Sequence, residues 1–231
     1  MLSKYPLLAV ILLLAIIGLI YVLTIPENHT EAEDSLSILN DIQSGEAERL
    51  FHPHHLLYAP LGYAVYQLWQ FLGLNGDLQL MMQLLNIIAG LFILLMVYLI
   101  AGKLDMPPPL RAIAVFIIAF SYSFWRYSSE CETYIIPLLF VMTVVMGTIR
   151  IFERGHSRPR AFWVSAGAVS AVLFHQQHIV IIIPLTIAFL ISSFDSDKKY
   201  SSGVIFRNYI LFLFVFVSSL AIVYPFVGFV I

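Results

Sequence analysis

The stretch HLLYAPLGYAVYQLWQFLG, residues 55–73, decides how this chain is threaded. It carries Pro60, Gly62, three tyrosines, Trp69 and two glutamines among apolar residues that recur at helical spacing. Tyr and Trp favour the headgroup level of a bilayer and amphipathic helices lie in that plane, so the segment reads as a helix on the membrane surface. The competing reading is a span, and the charges choose between the two. With 55–73 on the surface, ten of the twelve Lys and Arg residues fall on one side: Lys4, Lys103, Arg111, Arg150, Arg154, Arg158, Arg160, Lys198, Lys199 and Arg207, leaving Arg49 and Arg126 on the other. Cytoplasmic loops carry the excess of Lys and Arg, which makes the basic side the inner one and the N-terminus cytoplasmic. A span at 55–73 would reverse every later loop and put RIFERGHSRPR, residues 150–160, outside.

The composition demands a bilayer. The chain has 231 residues, 60% hydrophobic and 11% charged, with a mean hydropathy of +0.90, too little polar surface to wrap a soluble globule. Apolar stretches run 6–25, 78–101, 110–125, 133–152, 161–174, 178–194 and 208–231, several reaching the ~20 residues that cross a ~30 Å hydrocarbon core. Backbone amides in lipid must bond within their own segment, so these are helices. The expected fold is all-α: a polytopic bundle of about seven spans forming one membrane domain over 1–231, with span one at 6–25, an outer loop with amphipathic surface helices at 26–77, and spans two to seven over 78–231. Lys4 precedes a long apolar run with no small-residue cleavage site before Pro26, the pattern of a signal anchor. Pro107–Pro109 and 155–159 mark inner turns. The fifth span is short and joins the sixth through an outward turn at His175-Gln176-Gln177-His178; short paired helices leave polar groups below the lipid surface, which is tolerated around a protein-lined cavity. The sequence stops inside apolar residues 227–231, as an N-terminal portion of a longer protein would.

Several functions are excluded. A net charge of −2 with no basic arm argues against nucleic acid. One cysteine, Cys131, forbids an internal disulfide and reads as a small apolar filler rather than a reactive thiol. Neither GxxxxGK[ST] nor GxGxxG occurs, so an activated substrate has to arrive through the membrane.

Chemistry-bearing residues gather on the outer side in three groups. The loop 26–53 holds seven acids against Arg49 alone; within it 32–43 reads as an amphipathic helix with Leu36, Leu39 and Gln43 on one side. Most of those acids are a solvated loop, but Glu33 and Asp34 follow the first span closely at the start of a surface helix and are the catalytic candidates. The second group is Phe124-Trp125-Arg126-Tyr127-Ser128-Ser129-Glu130-Cys131-Glu132, whose Arg126, Glu130 and Glu132 are costly where lipid begins and so mark a site. The third is histidine: His52, His54 and His55 in FHPHHLLY, and His175 and His178 in LFHQQHIV. Phosphate or substrate contact, structural hydrogen bonding and metal ligation are all open to them, although HExxH geometry is absent.

The order and placement of these motifs resemble the GT-C superfamily of membrane glycosyltransferases, in particular the protein O-mannosyltransferase branch and its bacterial relatives. The resemblance rests on the signal-anchor span, Glu33-Asp34-Ser35, the His-Pro element Phe51-His52-Pro53-His54-His55 with Tyr58 and Pro60-Leu61-Gly62-Tyr63 behind it, the aromatic-acid stretch 124–134, and the His-containing short hairpin. It departs at the His-Pro element, where such relatives often read His-Pro-Pro-Gly-Tyr-Pro. The resemblance implies transfer of a sugar from a polyprenyl-phosphate carrier to a protein, lipid or glycan acceptor at the outer face of a bacterial or archaeal cell membrane. Asp34 would then be the general base with Glu33 beside it, Glu130 or Glu132 near the acceptor or a bound ion, and Arg126 with His52, His55, His175 or His178 on the departing phosphate. No cofactor is required, and a divalent cation bridging acid and phosphate is the one the resemblance allows. Two other classes compete: a transporter or flippase for an anionic lipid or solute using the same outward acids and imidazoles, and a non-enzymatic assembly subunit binding through Tyr58, Tyr63, Tyr66 and Trp69.

Overall fold

The computed structural model describes residues 6–26, 33–74, 77–154, 157–194 and 202–230. Among them are eleven α-helices and no strand: α1 (Pro6–Leu23), α2 (Glu33–Ser44), α3 (Ala47–Leu50), α4 (Tyr58–Phe71), α5 (Leu78–Lys103), α6 (Pro108–Ala119), α7 (Tyr122–Ser129), α8 (Ile135–Arg154), α9 (Arg158–Phe174), α10 (Ile182–Phe194) and α11 (Ser202–Val230), with a short 3-10 segment at Gln176–Ile181. The basic residues Lys4, Lys198 and Lys199 lie outside the described residues.

Seven full spans is too many. Among the described residues three helices are long and apolar enough to cross a membrane, α5, α8 and the Gly203–Pro225 part of α11, or four if α6 and α7 form one broken span. These helices mark an integral membrane protein. The other apolar segments are short: at 1.5 Å per residue, Leu8–Leu23 and Gln176–Ile191 reach ~24 Å and α9 ~26 Å, below the ~30 Å hydrocarbon thickness. Helix α4, at 14 residues, is ~21 Å long, so the decisive stretch 55–73 is helical and too short to span.

The expected third span, 110–125, is also broken. Helices α6 and α7 meet at 67° across Phe120-Ser121, where Ser121 turns extended (φ −66°, ψ 136°) and its hydroxyl donates to the Ile118 carbonyl at 2.8 Å. Pro137 and Pro184 occupy the first turns of α8 and α10, where a missing N–H has no helical partner to lose.

Two apolar clusters build the bundle. Tyr21, Ile42, Tyr58, Met82, Ile93, Leu94, Val115 and Ile135 centre one, joining α1, α2, α4, α5 and α6 to the start of α8; Val144, Val164, Val172, Phe212 and Phe216 centre the other, joining α8, α9 and α11. Small residues set the closest approaches. A Cβ on Gly90 of α5 would lie 2.7 Å from the Ser128 hydroxyl of α7, and one on Gly62 of α4 would lie 2.5 Å from Ile42 of α2 and 2.9 Å from the sulfur of Met82 of α5. The surface helices are thereby pressed onto α5 rather than hanging from it. On α2 the packed side is Ser35, Ile42 and the half-buried Ile38 and Leu39; Leu36, expected there, is 47% exposed.

Candidate functional site

One buried amide organises the end of the bundle that carries the acids and imidazoles. Asn86, fully buried in α5, donates to the backbone carbonyls of Glu130 at 2.7 Å and Glu132 at 2.8 Å and to the Tyr58 hydroxyl at 3.2 Å. An unpaired carbonyl in so apolar a setting costs about 1–3 kcal/mol, so this amide fixes the 130–132 turn against both α5 and α4. The same turn holds the first loop, since the Ser35 hydroxyl donates to the Cys131 carbonyl at 2.5 Å.

The histidine loop is docked by a second set of bonds. Leu57 N–H donates to the Leu173 carbonyl at 3.1 Å and Gln176 N–H to the His54 carbonyl at 3.0 Å, while His54 Nδ1 and Gln176 Oε1 stand 2.9 Å apart. His52 and His55 stack with ring centroids 5.9 Å apart, His55 meets His175 edge-on at 4.5 Å, and Tyr134 lies 5.0 Å and His178 5.8 Å from His175. Three segments distant in sequence, 52–55, Tyr134 and 175–178, thus form one imidazole-rich wall.

That wall encloses a cavity of about 610 Å³, closed on its other side by Ser37, Ile38 and Asp41 of α2 and by Arg49 of α3. Its size suits a substantial ligand. Ser37, Ile38 and Asp41 occupy one stripe of α2, and three, four and seven residues before them stands Asp34, the next register position of that stripe, with Glu33 a residue off it. The side chains of Glu33 and Asp34 lie outside the described residues.

Of the residues singled out in the sequence, His52, His55 and His175 line the cavity, and His178 sits one ring behind. Arg126, Glu130 and Glu132 do not line it. Arg126 is held in a fork by Glu130, Nε to Oε2 at 3.2 Å and Nη2 to Oε1 at 3.0 Å, and its Nη1 donates to the Tyr122 hydroxyl at 2.8 Å. Glu132 contributes its backbone carbonyl to Asn86. Sequence reasoning passed over Arg49, Asp41 and Gln176, all on the cavity wall. The signal for the first two was available in α2 periodicity and the shortness of the turn to α3; in a loop so acidic they read as solvated.

Burial governs the titrations here. His175 is only 4% exposed, and desolvation, with His55, His178 and His54 around it, pushes its pKa down to about 4, so at neutral pH it is an uncharged hydrogen-bonding ring. Desolvation lowers His178 as well. Burial raises the Cys131 thiol to about 12, matching an inert filler, and raises the Tyr58 hydroxyl well above its ordinary value. Among the described residues no three His, Cys, Asp or Glu side chains are grouped so as to hold a metal ion. The wall is therefore suited to hydrogen-bonding an anion through its imidazoles, the Gln176 amide and the Arg49 guanidinium, beside the Asp41 carboxylate.

No protein-family profile, curated protein or solved structure matches the chain.

Proposed function

We propose that the protein is a membrane glycosyltransferase of GT-C type, moving a sugar from a polyprenyl-phosphate carrier to a hydroxyl acceptor at the extracytoplasmic face, with Asp34 as general base. The observation that supports it is the shared stripe: Asp34 continues the line of Ser37, Ile38 and Asp41 that walls a cavity whose opposite side is a cluster of imidazoles, His52, His54, His55 and His175.

The Asp34 carboxylate takes the proton of the acceptor hydroxyl as that oxygen attacks the anomeric carbon, a contribution of typically ~10²–10⁴-fold. The bond between the anomeric carbon and the phosphate oxygen breaks, the electron pair leaves with the lipid phosphate, and one displacement inverts the centre. The departing charge meets Arg49, His52, His55 and Gln176, preorganised donors that need not reorient as the bond breaks. Arg126, forked by Glu130 and off the cavity lining, positions the 122–134 turn in this reading; the phosphate meets Arg49, which lines the cavity and whose Nε is paired with Glu46 at 2.9 Å. The histidine end faces the periplasm or exterior of a bacterial or archaeal cell, following the inward bias of the arginines. A divalent cation would have to be held by substrate phosphate together with first-loop acids.

The experiment is reconstitution in liposomes with polyprenyl-phosphate sugars, comparing wild type with Asp34→Asn and Glu33→Gln. Loss of transfer in Asp34→Asn with retained monodisperse elution supports the base; undiminished transfer in both variants would falsify it.

A second reading draws on the bend between α6 and α7. Transporters place discontinuous helices at their substrate sites, and an anionic lipid or solute translocated past this break would use the same cavity. Substrate scrambling by wild-type vesicles with no sugar transfer would favour that reading.

A further inference from the structure

We propose that a second, independent ligand site lies at the arginine-rich end of the bundle and takes a membrane lipid with a net anionic phosphate headgroup. A groove of about 520 Å³ runs between α5, α8 and α9, walled by Phe140, Gly147, Trp163 and Ser170 and closed at one end by Arg150 and Arg160. From Phe140 to Arg150 it follows α8 for ten residues, ~15 Å.

The groove exists because of small residues. Gly147 of α8 and Gly167 of α9 let these two helices touch so closely that a Cβ on Gly147 would stand 2.8 Å from Val164, and one on Gly167 would stand 2.9 Å from the Thr143 hydroxyl. Helices drawn together at small residues leave a slot above the contact, and Ser170 adds no bulk to fill it. On a helix long and apolar enough to cross the bilayer, that slot faces hydrocarbon, and the occupant that matches it is a lipid chain.

The head end specifies charge. Arg150 and Arg160 come from opposite sides of the α8–α9 turn and meet at one mouth, with Arg160 Nη1 steadied by the Arg154 carbonyl at 3.3 Å. Two guanidiniums bind phosphate oxygens in fork geometry, which a single hydrated ammonium does not reproduce. Trp163, 72% exposed on the groove wall, is placed like an interfacial anchor. Basic pockets between helices on the cytoplasmic side are where phosphate-headed lipids bind. This site shares no lining residue with the histidine cavity, and its existence does not depend on the transferase reading.

The test is native mass spectrometry of the purified full chain with added phosphatidylglycerol, phosphatidylcholine of the same acyl chains, or inorganic phosphate alone. Wild type should retain phosphatidylglycerol in preference to phosphatidylcholine, and Arg150→Gln/Arg160→Gln should bind it about 30-fold more weakly, taking ~1 kcal/mol per basic residue near the surface. Ser170→Phe, which fills the slot and leaves the charge alone, should reduce retention of both lipids. Equal retention of the two lipids by wild type, phosphatidylglycerol binding that survives both variants, or phosphate binding as well without a chain as with one would overturn the proposal. Photo-crosslinking from position 163 that captured a second copy of this chain instead of lipid would also overturn it.

Discussion

The histidine cavity and the arginine-headed groove use the same helical pair, α8 and α9, at opposite ends, and they are lined by opposite kinds of group. The cavity is walled by short segments brought together from distant parts of the chain and tied by backbone bonds such as Leu57 N–H to the Leu173 carbonyl and Gln176 N–H to the His54 carbonyl. The groove is walled by regular helix faces and carries charge at one end alone, where Arg150 and Arg160 stand. Desolvation at the cavity keeps His175 neutral, whereas guanidiniums keep their charge in any such setting. In the proposed reading the first serves proton transfer and hydrogen bonding, and the second holds a charged headgroup while its chain lies in lipid.

The largest expected effect breaks the comparison outright. Asp34→Asn should lower transfer by ~10²–10⁴-fold, measured in proteoliposomes, and leave phosphatidylglycerol retention at the groove unchanged. Loss of both in a folded variant would mean that the two regions are one site.

Asn86→Ala tests whether the cavity end has its own internal support. It leaves the Glu130 and Glu132 carbonyls without their shared donor, and the detergent-solubilised protein should lose about 3 kcal/mol of stability, read from its denaturation midpoint. The groove should keep its lipid preference in whatever fraction stays folded.

Acid sharpens the contrast. Folding depresses the His175 pKa from the ordinary value near 6.5 to about 4, so the unfolded chain binds a proton that the native state refuses. Stability from this group is complete above pH ~6.5 and is lost as the pH falls toward 4, by roughly 3 kcal/mol at most. His175→Gln should flatten the fall in unfolding midpoint between pH 7 and 4.5, and an unchanged pH slope would contradict a buried neutral imidazole.

The smallest effect is at the basic end. The Lys103–Glu153 pair is 2.9 Å long with both side chains about one-third exposed, and Lys103→Ala should cost under ~1 kcal/mol in thermal unfolding, because solvent screens such pairs. A larger loss would place rigid electrostatics at the end described here as a lipid-facing groove.

Much of this was legible in the sequence and the gaps have physical causes. The aromatic stretch 55–73 reads as a helix that does not cross the membrane, and α4 is a helix of 14 residues, too short to span. The histidine loop and the 175–178 turn were placed on one side by charge bias, and they meet. The bend at Phe120-Ser121 left no signature because neither proline nor glycine marks it; a serine hydroxyl bonded to the preceding turn sits there instead. The resemblance alone places Arg126 on the phosphate; its pairing goes unread in the sequence, because only with α7 helical does Glu130, four residues on, come within reach of its guanidinium. Asn86 was hidden in an apolar run, since a single amide in a span carries no periodic signal and only its partners, 44 and 46 residues away, reveal its role.

Sidedness underlies the whole account, and single-cysteine labelling measures it. Native Cys131 is buried and its thiol is raised to about 12, so it stays silent. Gln177→Cys and Arg158→Cys report from exposed positions at the two ends of the spanning helix α8: residue 177 lies beside the His175–Tyr134 contact that precedes it, and residue 158 follows its last residue, Arg154. In intact cells a membrane-impermeant maleimide should label position 177 at once and position 158 only after permeabilisation. Labelling of 158 from outside, with 177 protected, would put the histidine cavity in the cytoplasm and contradict the account.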